Sequence, residues 1–152
     1  MKKKSKIIQL KDLKKIQNES KKIVLCHGVF DLLHVGHLRY LKEAKKLGQI
    51  LVVSVTSDKY VNKGPGRPRF NLNIRMEAIT SIDVVDFVVK SDSPTPEKII
   101  RNLKPAFYVK GRDYKNLKSD ITKNILYEKK LVKQYGGRLV FTNSDIFSSS
   151  KL

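Results

Sequence analysis

The stretch from residue 23 to residue 37 constrains the fold of this chain more than any other part of it. An apolar run over residues 23–26 leads into Gly28, as a buried parallel strand leaving a sheet would. Apolar residues then recur at helical spacing up to Gly48, which stands where a helix is expected to end. These residues are Leu38, Leu41, Ala44 and Leu47. The sequence therefore predicts a strand, a tight turn and a helix start in close succession.

All three histidines of the chain, His27, His34 and His37, fall in this stretch. His34 and His37 are three residues apart, so they lie on one face of the first helical turn. That turn also offers free backbone N–H groups and the positive end of the helix dipole, and Gly36 lets a ligand approach the backbone. Helix capping or a half-buried turn would explain a single histidine. Three at a strand-to-helix junction, where open α/β sheets bind ligands, favour a phosphate-binding site.

Segments of strand and helix character alternate along the chain. Strands are predicted over residues 23–26, 50–55, 87–89, 106–109 and 139–142. Helices are predicted around residues 10–16, 35–47, 74–79, 97–103 and 121–132. In the third helix, Ile74, Ala78 and Ile79 are expected to face inward. This alternation predicts an α/β fold, a Rossmann-like, doubly wound parallel sheet of five strands. We expect a single domain over residues 1–152, in which residues 1–20 form a basic extension and a short helix.

The net charge of +18 raises the question of nucleic-acid binding, because basic patches neutralise phosphates. Lys greatly outnumbers Arg, however, and the charges are spread along every predicted helix. Aromatic residues are not interleaved with them, as a stacking surface would require. We therefore expect a solvated basic surface without a specific nucleic-acid partner, and a minority of cations directed at an anionic ligand.

Cysteine content and hydropathy indicate the compartment. A single cysteine, Cys26, excludes an internal disulfide and fits a reducing environment. No apolar run approaches the roughly 20 residues that span a membrane, and the Lys-rich start lacks the apolar segment of a signal peptide. These features predict a cytoplasmic chain without a membrane partner.

Two further polar turns accompany the histidines. Residues 62–70 combine glycines, prolines and three cations, which is typical either of an exposed loop or of a mobile flap over phosphates. Arg75 follows in the first turn of a helix capped by Asn71 or Asn73, where the dipole disfavours a cation unless an anion is near. Residues 110–114 form the second turn, at the same sheet edge as the histidines.

The run G-V-F-D-L-L-H-V-G-H, residues 28–37, resembles the (G/T)-x-F-D-x-x-H-x-G-H signature of the HxGH nucleotidyltransferase superfamily. The resemblance covers nearly the whole chain after residue 22. Residues 63–75, 93–96 and 110–114 are most similar to the adenylyltransferase domain of bacterial heptose 1-phosphate adenylyltransferases. This chain departs from that family at Arg112, which replaces the second Gly of Lys-Gly-Gly-Asp-Tyr. It also has three serines where the family has Ser-Thr-Thr, and residues 115–130 fit the family poorly.

The resemblance implies that a phosphate oxygen of an acceptor attacks the α-phosphorus of an NTP and expels pyrophosphate. His34 and His37 would hold the triphosphate, while Lys63 and Arg75 would neutralise the leaving pyrophosphate. Asp31 is the candidate carboxylate for Mg²⁺ carried on the phosphates, or else a structural turn residue. The implied nucleotide-binding residues are Gly28, Val29, Phe30, Gly36, Lys110, Gly111, Asp113, Ser148, Ser149 and Ser150. The turn at residues 110–114 is a candidate for binding either the base or the acceptor.

The function expected from this resemblance is transfer of a nucleoside monophosphate from an NTP, with ATP favoured, to a sugar phosphate such as heptose 1-phosphate. The alternative is a CTP-dependent cytidylyltransferase acting on glycerol 3-phosphate or a similar polyol phosphate. A more remote alternative is a non-catalytic domain that binds nucleotides or nucleic acid. The sequence leaves open a homodimer and a further domain beyond Leu152.

Overall fold

The computed structural model describes residues 5–18, 21–111 and 120–143, without the side chains of residues 120–123. The strands are β1 (Ile7–Ile8), β2 (Ile23–Gly28), β3 (Ile50–Thr56), β4 (Phe87–Ser91), β5 (Phe107–Lys110) and β6 (Arg138–Phe141). The helices are α1 (Leu13–Gln17), α2 (Val35–Lys45), α3 (Leu72–Thr80), α4 (Glu97–Leu103) and α5 (Asp120–Gln134), and short 3₁₀ turns lie at Leu10–Asp12 and Asp58–Tyr60. Within these described ranges, no helix has both the length and the apolar character needed to cross a membrane.

All the strands join one parallel sheet, in the order β1-β4-β3-β2-β5-β6. The chain leaves β2 toward β3 on one side and later returns to place β5 on the other side. The order of the strands therefore reverses at β2, and open α/β sheets bind ligands in the crevice at such a point. The histidine turn follows β2 directly, so the fold delivers it to that crevice.

The sheet has one strand more than the five predicted. The additional strand, β1, is only two residues long, and Ile7 and Ile8 pair with Val88 and Val89 of β4. Two apolar residues are too few for a strand pattern to be recognised in a sequence. The pairing covers the open edge of β4 and so adds a short strand to the predicted doubly wound fold.

Helices cover both faces of the sheet, which explains the continuous apolar runs of the strands. Along β2, Ile23 and Leu25 pack into a core cluster with residues of α1, α4 and α5. Val24 and Cys26 point to the opposite face and pack with residues of α2 and α3. Every residue of β3 is buried. The two layers hold the carboxyl ends of the strands in fixed register.

Helix α3 presents a different face to the core than its apolar spacing predicted. Ile79 is buried as expected, but Ile74 is 48% exposed and Ala78 is also exposed. The inward face carries Met76 and the charged side chain of Arg75, which is 1% exposed. Because Arg75 turns inward, the helix is rotated about its axis relative to the orientation that would bury Ile74.

Candidate active site

The turn after β2 places two imidazoles over the first residues of α2. His34 is the N-cap of the helix in an extended conformation, and its Nδ1 accepts a 3.0 Å hydrogen bond from the Gly36 backbone N–H. The Nδ1 of His37 accepts a 3.2 Å bond from the backbone N–H of His34. The two ring centroids are 4.0 Å apart. The histidines thus satisfy two backbone donors that a helix start would otherwise leave unpaired.

This capping geometry determines where each neutral imidazole carries its hydrogen. A nitrogen that accepts a hydrogen bond has no hydrogen of its own, so the hydrogen of each neutral ring lies on Nε2. Capping uses Nδ1, whereas a ligand would be bound through Nε2. The structural role and the phosphate-binding role that the sequence offered as alternatives are therefore compatible in the same side chains.

His37 is a neutral donor at physiological pH. Burial, together with electrostatic interaction with His34 and Lys63, lowers the pKa of His37 from 6.5 to about 4. Lys63 is itself exposed, yet its charge acts on the His37 ring. The structure therefore brings together three of the residues predicted for the site.

The backbone between β2 and α2 is strained. Phe30 and Leu32 both adopt positive φ values, of 53° and 57°, which non-glycine residues rarely do. The Phe30 ring is buried, and its centroid lies 5.8 Å from that of His37. A Cβ at Gly28 would lie 3.1 Å from the Phe30 ring. A side chain at position 28 would therefore crowd the Phe30 ring. The positive φ values of Phe30 and Leu32 are backbone strain of a kind often found at functional sites.

Asp31 fastens the basic loop to this turn. Its Oδ2 accepts a 2.8 Å bond from the Arg69 N–H, its Oδ1 accepts a 3.1 Å bond from the Phe70 N–H, and Arg67 lies 3.4 Å away. Burial raises the pKa of Asp31, but the two backbone N–H groups and Arg67 outweigh burial and hold that pKa below its usual range. Asp31 is therefore an ionised anchor for the end of the loop.

These contacts bear on the expected metal role of Asp31. Both of its oxygens already accept hydrogen bonds from the loop. Among the residues that the structure describes, no group of three His, Cys, Asp or Glu side chains is arranged to hold a metal ion. The geometry fits the structural-turn alternative for Asp31.

Arg75 is enclosed by backbone oxygens of the same region. Its Nη1 donates to the carbonyls of Val29 and Thr56, each at 2.8 Å, and its Nε donates to the Phe70 carbonyl at 2.9 Å. Its Nη2 pairs with Asp58 at 2.6 Å. Asn71, one of the two predicted caps, accepts from the Ile74 N–H and begins α3. Four bonds to protein groups occupy the guanidinium, so we assign Arg75 to holding the ends of β2 and β3 rather than to contact with pyrophosphate.

The carboxyl end of β5 lies beside that of β2, as predicted. Cys26 pairs with Val109, so Lys110 stands next to His27 in the sheet, and Gly111 follows. Lys110 is 7% exposed, with its Nζ 5.2 Å from the centroid of the Tyr108 ring. The remaining predicted positions, Asp113, Ser148, Ser149 and Ser150, lie outside the described residues.

Two features of this region were not predicted from the sequence. His27 was grouped with the other histidines without a role of its own, and its Nδ1 lies 2.7 Å from Ser54 Oγ. The Arg75–Asp58 pair was also missed. The sequence contained one signal for the orientation of His27. It lies two residues beyond Leu25 in the same strand, and alternate residues of a strand point to the same face.

Several known proteins are similar to this chain in sequence. A family model described as cytidylyltransferase-like matches residues 25–152. The bifunctional protein HldE of Geobacter metallireducens is 43% identical over 121 residues, which are 78% of this chain and 23% of that protein. HldE of Blochmanniella floridana is 39% identical over 139 residues, 90% of this chain and 28% of that protein. The chain thus spans about a quarter of the length of these relatives.

Solved structures share the fold. A lipopolysaccharide core biosynthesis protein from Thermoplasma volcanium superposes with a TM-score of 0.69 at 29% identity, covering 84% of this chain and 100% of that one. A pantoate-beta-alanine ligase from Francisella tularensis, at 17% identity and a TM-score of 0.62, shares the fold alone. The strained histidine turn, the parallel sheet and the family match over most of the chain together show that it belongs to the cytidylyltransferase-like family of nucleotidyltransferases.

Proposed function

We propose that this chain transfers a nucleoside monophosphate from an NTP, with ATP favoured, to a sugar phosphate such as heptose 1-phosphate, and releases pyrophosphate. The observation that carries the proposal is the pair of imidazoles that cap the start of α2. Each neutral ring has its hydrogen on Nε2, away from the helix, so both can donate to phosphate oxygens. Membership of the cytidylyltransferase-like family supports the reaction class.

The chemistry needs alignment and charge stabilisation rather than a covalent nucleophile. An ionised oxygen of the acceptor phosphate forms a bond to the α-phosphorus, and the bond from that phosphorus to the bridging oxygen breaks. Pyrophosphate leaves with the electron pair of the broken bond. Because the attacking oxygen is already ionised, no proton has to be removed from the nucleophile. His34 and His37 donate to oxygens that gain charge, and Lys63 supplies a positive charge nearby. Mg²⁺ bound to the triphosphate would neutralise part of its charge.

Cys26 does not provide an alternative route through a covalent intermediate. Its side chain is fully buried, and this burial raises the pKa of the thiol to about 12. The thiol is therefore protonated and shielded from solvent at neutral pH. Direct transfer between the two substrates is the step that these groups can support.

The identity of both substrates rests on sequence similarity. The runs at residues 63–75 and 110–114 resemble heptose 1-phosphate adenylyltransferases, and both of the relatives described above are bifunctional HldE proteins. The second candidate is CTP-dependent transfer to glycerol 3-phosphate, for which the cytidylyltransferase-like family match is the supporting observation. The two candidates require different bases and different acceptors, so one substrate panel separates them.

The test is pyrophosphate release with ATP, CTP, GTP or UTP, each offered with heptose 1-phosphate, another sugar 1-phosphate or glycerol 3-phosphate. We expect turnover with ATP and a sugar 1-phosphate. His37→Ala should lower kcat by roughly 10²- to 10³-fold, the usual effect of losing one transition-state donor. Leu38→Ala is the matched control, because Leu38 occupies the next position of the same helix and is 37% exposed. Near-normal turnover by His37→Ala, or no turnover with any pair, would refute the proposal.

A further inference from the structure

A row of polar side chains crosses the sheet at the carboxyl ends of three neighbouring strands. His27 pairs in register with Ser54 of β3. On its other side, the Cys26–Val109 pairing places Lys110 of β5 beside His27. Residues side by side in a parallel sheet point to the same face. His27 therefore lies on the face that α1, α4 and α5 cover, whereas α2 and its two histidines lie over the opposite face.

The contact with Ser54 determines which nitrogen of His27 carries the hydrogen. Ser54 is completely buried, and His27 Nδ1, at 2.7 Å, is the one partner recorded for its hydroxyl among the described residues. If Nδ1 carried the hydrogen, the Ser54 hydroxyl hydrogen would be buried without an acceptor, which is costly. The Ser54 hydroxyl therefore donates to Nδ1, and the hydrogen of the imidazole is on Nε2.

The Nε2–H group of His27 is available to a ligand. Within the described part of the chain it has no hydrogen-bond partner, and the His27 side chain is partly exposed. Burial, together with the charge of Lys110, lowers the pKa of His27 from 6.5 to about 3. The ring is thus a neutral donor across the physiological pH range.

Lys110 adds a positive charge at the same place. Its side chain is largely buried and rests on the Tyr108 ring, whose hydroxyl donates a 2.5 Å bond to Glu128 of α5. That bond fixes the Tyr108 ring, so the Lys110 side chain packs on a rigid surface. A neutral N–H donor beside a positioned ammonium group is complementary to a phosphate oxygen.

We propose that His27 and Lys110 bind the phosphate of the acceptor substrate, so that the acceptor approaches from the His27 side while the NTP is held at the start of α2. This inference rests on the proposed function and adds a binding site to it. The two non-reacting acceptor oxygens would be bound by His27 Nε2–H and Lys110, which leaves the third oxygen to attack the α-phosphorus. In the crevice at β2, the NTP would then lie on the α2 side of the sheet and the acceptor on the opposite side.

Two variants separate ligand binding from the structural contact with Ser54. In His27→Gln the amide nitrogen lies near the position of the imidazole Nε2, so the donor to the ligand is kept. In His27→Asn the shorter amide lies near the position of Nδ1, so contact with Ser54 is kept and the donor to the ligand is lost. His27→Ala loses both. Steady-state kinetics of the full chain, with each substrate varied at saturation of the other, compare the three variants.

We expect His27→Ala and His27→Asn to raise the KM for the acceptor roughly 10- to 100-fold, the range for a hydrogen bond to a charged group. The KM for the NTP should stay within about 3-fold, and His27→Gln should recover most of the acceptor affinity. An equal rise in both KM values, an unchanged acceptor KM, or recovery by Asn instead of Gln would overturn the assignment.

A measurement without turnover distinguishes this inference from the proposed function. If the wild-type chain forms no product, the proposed function fails, but ¹H–¹⁵N spectra of the histidine side chains still test the site. We expect the His27 signals to show hydrogen on Nε2 and to shift when inorganic phosphate is added, and this shift should persist in His37→Ala. A His27 signal that phosphate leaves unchanged, or hydrogen on Nδ1, would contradict the proposal.

Discussion

Replacement of Arg75 by methionine should destabilise the domain strongly, because the buried guanidinium donates to three backbone carbonyl oxygens. The carbonyl oxygens of Val29, Thr56 and Phe70 would each lose a hydrogen bond. At roughly 1–1.5 kcal/mol for each bond, the loss sums to about 3–5 kcal/mol. The ion pair with Asp58 adds little to this figure, since the Asp58 side chain is 48% exposed. A domain with a total stability of roughly 5–15 kcal/mol would lose a large part of it.

Urea titration followed by circular dichroism measures this loss, and the corresponding fall in Tm is about 6–20 °C for a domain of this size. Arg101→Met is the matched control. Arg101 also forms an ion pair, with Glu97 at 2.8 Å, but both side chains are substantially exposed. Its Tm should change by no more than ~2 °C. If Arg75→Met lost no more stability than Arg101→Met, the assignment of Arg75 to a structural role would be wrong.

Three further predictions concern the Asp31 anchor, the pH dependence of stability and the binding of DNA. Asp31→Ala removes the acceptor for two loop N–H groups, so amide exchange at Arg69 and Phe70 should accelerate and NTP affinity should fall; unchanged exchange would argue against the anchor. His27 and His37 have folded pKa values of about 3 and 4 against 6.5, so the unfolded state binds protons first as pH falls. The free energy of unfolding should therefore fall between pH 6.5 and pH 4, by up to about 1.4 kcal/mol per pH unit for each histidine, and His27→Gln should show a shallower fall than wild type. Duplex DNA binding should be weak and lost at ~0.2 M salt, where NTP binding persists, and tight DNA binding at that salt without NTP affinity would favour the nucleic-acid alternative.

The strands and the histidine turn could be predicted because their signals are local. Each of the five predicted strands is a short, mainly apolar run bounded by polar residues or proline, and the ends of each lie within two residues of the observed ends. The i, i+3 spacing of His34 and His37 placed both rings at the helix start without knowledge of the rest of the chain. The parallel direction of the strands also followed from the alternation of elements, which places the carboxyl ends at one edge.

The features that could not be predicted depend on partners distant in sequence. The position of Arg75 in the first turn of a helix suggested contact with an anion, and only the approach of Val29 and Thr56 shows that its guanidinium is buried among backbone carbonyls. Its inward turn also exposes Ile74, which the apolar spacing had placed in the core. The Ser54 contact of His27 depends on strand register in the same way. The roles implied for Asp113 and for residues 148–150 lie outside the described residues and stay predictions.

The central claim is that a phosphate oxygen of the acceptor becomes bonded to the α-phosphorus of the NTP. ³¹P NMR of a reaction containing the chain, Mg²⁺, ATP and a sugar 1-phosphate tests it most directly. The account predicts a nucleoside diphosphate sugar and inorganic pyrophosphate, formed in equal amounts as ATP disappears. Formation of ADP with a second phosphate on the sugar, release of orthophosphate alone, or unchanged spectra across the full panel of NTPs and acceptors would contradict it.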